Sequence, residues 1–396
     1  MFRNGITKII LLTAVILACA LSSPSLAATN TAEYQILATT AGGIQGMSAP
    51  LTMQLDARGT PVKGNPEEAS HFIPPGMNMG NALPLLRPDS PQSAPGNAGA
   101  AGTRDTAEEN WTYKIYWGCS KEVQKGQPIV ISTQDMKSGK GKFAELADVS
   151  QGVLKGAPPK GWGWGQWPNK KSSIPVPRGA SLKGDHRVEG NYLPQIKFNI
   201  SNHDFLPTLD VKIGGSDLAA SLPLTWAPVK GAVGYFAHAM ASSQEKRETV
   251  IWTSSAKPTM GIMMMHEHSS RIKELVKSGI AMGSDKTACN IPAGIFVGYE
   301  NAMVSASAWG EDYWMSYPEK PAKAPKNWVP DWTVNALFLA SWMGMPGMDI
   351  PVMSDTNFET PVDTGGDDVQ EQQSTPSRRG GGLKIGVPLP IPLPGF

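Results

Sequence analysis

The chain has 396 residues, with 35 Lys and Arg against 34 Asp and Glu, for a formal net charge of +1. That balance excludes the broad positive field of a nucleic-acid binder. Charged residues make up only 17% while glycine reaches 42 and proline 34, a mixture that excludes a mainly helical protein and predicts a loop-rich β architecture.

Residues 1–27 have the order of a secretory leader. Arg3 and Lys8 precede the apolar run Ile9 to Leu21, and Ser25-Leu-Ala27 supplies a small-x-small cleavage site. The run is too short for a spanning helix and no other stretch approaches that length, so no transmembrane segment is expected in the mature chain. Ile16-Leu-Ala-Cys19 permits a rival reading, a lipobox that would leave Cys19 as a lipid-anchored N-terminus. Either way the expected location is periplasmic or secreted. Cleavage after Ala27 leaves Cys119 and Cys289, and an even pair in an oxidising compartment predicts a disulfide.

Residues 28–57 form the first part of an N-terminal β region, with strands at Glu33 to Thr40 and Leu51 to Asp56 around a Gly-rich turn. Residues 58–110 are rich in Pro, Gly, Ala and Ser and are expected as a disordered linker, although 71–86 keeps enough apolar bulk to pack as an extended strip. Residues 111–179 form the second part: Trp111 to Trp117 alternates strongly, Gln127 to Thr133 is its partner strand, and Gly161-Trp-Gly-Trp-Gly-Gln-Trp167 is a Trp-rich loop.

The stretch 180–348 reads as a β-sandwich. Leu222, Leu224 and Trp226 alternate with Pro223 and Thr225, a half-buried strand, and strands follow at Tyr235 to Met240 and Thr249 to Thr253. Further strands are expected at 191–200, 209–213, 288–298, 301–308 and 332–342. One short helix begins at Ser270, with Ile272, Leu275 and Val276 on one face and Gly279 as its stop. Residues 349–396, ending in Val387-Pro-Leu-Pro-Ile-Pro-Leu-Pro394, are expected as a disordered or polyproline tail.

Trp226 followed by Pro228-Val-Lys-Gly-Ala-Val-Gly-Tyr235 resembles the second and third strands of fibronectin type III and related immunoglobulin-like sandwiches. The resemblance implies an all-β fold in which that Trp and Tyr meet between two sheets. A second resemblance covers most of the mature chain. His71-Phe-Ile-Pro-Pro-Gly-Met77, Tyr116-Trp-Gly-Cys119, Gly126-Gln-Pro128, Trp167-Pro-Asn169, Ser181-Leu-Lys-Gly-Asp-His186 and Gly190-Asn-Tyr192 are similar to a group of exported proteobacterial proteins of unknown function. It implies a Gram-negative envelope context and no activity.

Three groups of residues carry candidate chemistry. Met343, Met345 and Met348 are soft thioethers close together and, with His266 and His268, form a candidate copper set; core filling by Met is the competing reading. Trp162, Trp164 and Trp167 are a candidate ligand platform, or the closing layer of the core. His186 beside Asp185 and His203 beside Asp204 are acid–base types without a third partner spaced to orient either. The function this predicts is a non-catalytic exported envelope protein acting by interaction with a protein or glycan, without cofactor; a copper-binding protein and a secreted hydrolase are the alternatives.

Overall fold

A computed structural model describes residues 32–43, 51–89, 111–138, 141–146, 153, 156–260 and 266–347. The leader 1–27 with Cys19, most of 87–110 and the tail 349–396 lie outside the described residues. Among those described, no helix is long and apolar enough to cross a membrane.

The first strands are β1 (Ala32–Gly43), β2 (Leu51–Gly59), β3 (Ala69–Phe72), β4 (Ala82–Leu85), β5 (Thr112–Trp117) and β6 (Ile129–Ser132). A short helix α1 (Thr133–Ser138) precedes β7 (Gly163–Trp167), β8 (Gly184–Gly190), β9 (Leu193–Ile200), β10 (Val211–Ile213) and β11 (Leu222–Trp226). Then come β12 (Ala232–Ser243), β13 (Glu248–Thr253), helix α2 (Ser269–Lys277), β14 (Met282–Gly283) and β15 (Ala288–Ile291). The last are β16 (Met303–Gly310), β17 (Tyr313–Tyr317) and β18 (Trp332–Gly344). The protein is all-β, as its composition implies.

Three sheets result. The main sheet runs β6-β5-β13-β12-β16-β18-β1-β2-β7, with β14 on β12 and β17 on β18. A small sheet is β10-β11-β15, and a four-stranded sheet is β4-β3-β8-β9. Within them sits the expected sandwich. Of its seven strands in chain order, the first, second and fifth (β10, β11, β15) make one layer. The fourth, third, sixth and seventh (β13, β12, β16, β18) lie side by side in the other, an immunoglobulin-like grouping. Trp226 and Tyr235 meet between the layers with ring centroids 5.6 Å apart, and the Tyr235 hydroxyl accepts the Val229 N–H at 2.8 Å. A buried phenol thus keeps its polar end satisfied.

What distinguishes this molecule is how the earlier chain extends that second layer. β1 lies parallel to β18 from Ala32↔Trp332 to Gly43↔Met343, and β5 lies parallel to β13. β2, β7 and β6 then add antiparallel strands beyond them. Both flanks of the sandwich layer are thereby paired rather than left as open edges. The strands from 28–57 and 111–179 are hydrogen-bonded members of the sandwich sheet, so one continuous ladder joins the two β regions.

Two expectations need correction. The 58–110 segment, read as a linker, supplies β3 and β4, and β8 and β9 join these two rather than the sandwich layers. Each of β3 and β4 is only four residues long, yet His71, Leu83 and Leu85 are fully buried. Proline density around strands that short hides their alternation. Helix α1 was also not anticipated; Asp135 accepts the backbone N–H and hydroxyl of Ser132, each at 2.7 Å, and so fixes its start.

Helix α2 forms where its periodicity places it, and Gly279, at φ 79°, ends it. Ile272 and Leu275 pack with Phe236, Trp309 and Leu339 on the side of the main sheet away from the sandwich core. Burial of such side chains is worth about 1.5–3 kcal/mol each. Cys119 and Cys289 are bonded across 170 residues, tying the end of β5 to β15, and the Trp252 indole donates to the Gly118 carbonyl beside the bridge at 3.0 Å. On the chain-entropy model a loop of that length is worth about 5 kcal/mol. Replacing both cysteines by serine is expected to lower the free energy of unfolding by up to that amount in urea titrations; an unchanged midpoint would show that the bridge is not a stabilising tie.

Candidate functional site

Of the five candidate copper residues, four lie among the described residues. Met343 sits half-buried near the end of β18, opposite Ser305 and Gly43, and Met345 just beyond it; Met348 lies outside the described residues. His266 directs Nε2 at the Ala38 carbonyl (3.2 Å) and the Thr39 hydroxyl (3.1 Å) on β1. His268 directs Nδ1 at Asp312 (3.0 Å). Among the described residues no group of three His, Cys, Asp or Glu side chains is arranged to hold a metal ion.

Ser269, His268 and Asp312 have the residue types of a hydrolase triad, wired differently. The Ser269 hydroxyl and backbone N–H both donate to Asp312 Oδ1, so the serine bonds the carboxylate instead of the imidazole. The cluster caps the N-terminus of α2 from the loop between β16 and β17. Hydrogen bonds from His268 and Ser269 hold the Asp312 carboxyl well below the usual carboxylate range against the opposing effect of burial. The sequence neighbours Asp185 and His186 also part company: Asp185 accepts from Asn199, and His186 turns into the core. Asp204 accepts from Ser181 and from the Leu182 and Phe205 N–H groups, while His203 stacks on Phe338.

The Trp-rich stretch becomes β7. Trp164 and Trp167 are buried, and their indoles donate to Asp56 (2.9 Å) and Ser172 (3.0 Å); Trp162 is half-buried just ahead of the strand. The intervening glycines have a steric reason. A side chain at Gly163 or Gly165 would overlap the Tyr192 ring, which lies flat against that face of the strand. Gly165→Ala is therefore expected to destabilise the protein by about 1–3 kcal/mol through overpacking, read as a fall in thermal midpoint, whereas Gly156→Ala, with open space at its Cβ, should be nearly neutral.

The outer face of the main sheet brings together residues that no stretch of sequence groups. Register places Trp314, Asn335, Gln35, Asp56 and Gln166 side by side across β17, β18, β1, β2 and β7. The next row, two residues along each strand, is Ser316, Thr333, Glu33, Arg58 and Trp164. Nearer α2, Leu37 and Leu337 pair as a buried apolar floor.

The two ends of this polar strip differ. At the β7 end Asp56 is a hub, accepting from Arg58, Trp164 and, at 2.7 Å, Gln166. The Arg58 guanidinium also donates to the Gly156 carbonyl at 2.7 Å and lies 5.3 Å from the centre of the Trp164 ring. That end is closed over. At the β17 end Trp314 is 58% exposed. Between them Glu33, Gln35 and Thr333 are half-buried. Asn335 donates to the Tyr313 carbonyl at 3.3 Å, while its Oδ1 and Gln166 Oε1 have no partner among the described residues.

Sequence reasoning did not find this strip. Its only trace is a polar residue at every second position of β1, β2 and β18, which any half-exposed strand carries. No protein-family model, no curated protein and no solved structure matches the chain.

Two further histidines carry a pH consequence. Burial pushes His238 and His266 down to about 4, the Ala38 carbonyl opposing this at His266. Above pH ~6.5 the imidazole is neutral in both folded and unfolded chains and costs nothing. Between there and about 4 the unfolded chain takes up protons that the folded state refuses, so stability falls as pH falls. His238→Gln is expected to flatten the dependence of the urea midpoint on pH in that window; a slope equal to that of the wild type would remove His238 from the account.

Proposed function

We propose that the protein is a non-catalytic binding protein of the bacterial envelope or its exterior, and that its outer sheet strip takes a polyhydroxylated glycan. The observation that carries the reading is the open part of the face, where register sets exposed Trp314 across β18 from half-buried Gln35, with Glu33 two residues along the same strand as Gln35. Amide and carboxylate groups offer donors and acceptors in the planar pairs that match neighbouring sugar hydroxyls. An exposed indole offers a flat apolar surface for a ring face. The open strands β17, β18 and β1 span about 10 Å at ordinary strand spacing, room for one or two sugar rings.

Charge and chemistry support the same choice. The two rows hold Glu33 and Asp56 against Arg58, which does not suit a polyanion. Asp56 already receives four hydrogen bonds from Arg58, Trp164 and Gln166, so little acceptor capacity remains for general-base work. The leader-like N-terminus and the Cys119–Cys289 bridge suit an oxidising compartment outside the cytoplasm.

The test is retention of the mature protein on immobilised neutral and acidic polysaccharides, with titration of soluble oligosaccharides from any that bind. Trp314→Ala, at an exposed position, is expected to keep the fold and weaken neutral-glycan binding roughly tenfold, equivalent to about 1.4 kcal/mol. Binding confined to acidic polymers and abolished by salt, or an unchanged affinity in the Trp314 variant, would overturn the assignment.

A further inference from the structure

A second polar construction lies on the opposite side of β1. Tyr34, His71 and His186 are 1%, 0% and 2% exposed, and they form a continuous hydrogen-bonded chain. The Tyr34 hydroxyl is 2.8 Å from His71 Nδ1, His71 Nε2 is 2.9 Å from His186 Nδ1, and His186 Nε2 is 2.7 Å from the Leu182 carbonyl. The chain joins β1 of the main sheet to β3 and β8 of the four-stranded sheet. Phe198 of β9 stacks on His186 with centroids 4.7 Å apart and 5° between planes.

The direction of every proton follows from the last link. A carbonyl can only accept, so His186 Nε2 carries hydrogen; a neutral His186 then accepts at Nδ1. His71 Nε2 must donate to it and His71 Nδ1 must accept, which leaves the Tyr34 hydroxyl as donor. All contacts are satisfied with both rings neutral. Adding one proton reverses the order. A charged His71 donates from Nδ1 toward Tyr34, and a charged His186 donates from Nδ1 and forces His71 into the tautomer that does the same. Either way the Tyr34 O–H loses its acceptor inside the core, where an unpaired group costs about 1–3 kcal/mol.

We propose that Tyr34, His71 and His186 form an acid-released clamp between the main sheet and the four-stranded sheet. The groups facing the chain are few. From β8, Asp185 favours a charged His186; near Tyr34, Asp56 of β2 and the Tyr192 hydroxyl act on the phenol. From β17, Tyr313 reaches Phe198 with His203 beyond it. None of these side chains hydrogen-bonds either imidazole, and burial keeps both rings below the usual imidazole range, with the charge of His186 adding to it at His71 and the Leu182 carbonyl and Asp185 opposing it at His186. By the linkage sign, the clamp is whole above about pH 6.5 and loosens as pH falls below it.

Hydrogen exchange read by mass spectrometry on the mature protein, at about pH 7.5 and about pH 5 and corrected for intrinsic rates, tests this. Protection of β3, β8 and β9 is expected to fall by up to tenfold per pH unit for each proton bound, while β11 and β15, in the other layer of the sandwich, keep theirs. His238 lies on β12 and His266 against β1, so their own acid effect falls on strands of the main sheet and not on β3, β8 or β9. The double variant H71Q/H186Q, whose amides take up no proton, should abolish the selective loss. Uniform loss over all strands, no loss, or the same loss in the double variant overturns the clamp. Should that variant fail to fold, nitrogen NMR of labelled histidine in the wild-type protein decides. Nε2–H tautomers for both rings near neutral pH, charging in step with the loss of protection, support it, and an Nδ1–H or charged ring there overturns it.

Discussion

The parallel pairing of β1 with β18 is the constraint on which the remainder of this structure leans. It runs over the full length of β1, joining Ala32 to Trp332 and Gly43 to Met343. Without it, the last strand of the sandwich would present an open edge of unpaired amides and carbonyls. With it, β2 and β7 can follow, the Trp-rich strand is held against Tyr192, and the outer face gains its width. Parallel partners need a long connection between them, and here nearly the whole chain serves as that connection.

The same strand works on both of its faces. Alternation sends Tyr34 inward to the histidine chain and Glu33 and Gln35 outward to the polar strip. A shift of one residue in register would exchange the two sets, burying carboxylate and amide in the core and exposing the phenol. The buried hydrogen-bond chain gives the register a polar lock as well as an apolar one, since Tyr34 finds its acceptor in only one alignment. The inner face remains a packed core in which the polar atoms of these three residues are paired.

The polar groups on the outer face follow a different economy. Asp56 gathers Arg58, Trp164 and Gln166 at the closed end, while the open end is left to Trp314 and half-buried side chains. A sheet face that shifts from self-satisfied to solvent-facing within five strands is suited to receive something else along its open part. The triad-like residues at the start of α2 illustrate the converse: Ser269, His268 and Asp312 are adjacent, yet every donor converges on the carboxylate to seat a helix.

Much of the fold was legible in the residues themselves. Alternation located β1, β2, β5, β11 and β12, a helical period with Gly279 located α2, and the Trp226–Tyr235 spacing pointed to a sandwich in which those rings do meet. The even pair of cysteines beyond the leader-like stretch pointed to Cys119–Cys289. These features are local or depend on a forced pairing of two residues. Tertiary structure alone decided which strands are neighbours: that β1 pairs with β18, that β3 and β4 are strands at all, and that Trp314, Gln35 and Asp56 share one row. The reason is physical. Periodicity states which face of a strand is buried, but the backbone groups along its edge are the same for every strand, so the choice of partner rests on the packing of the whole chain.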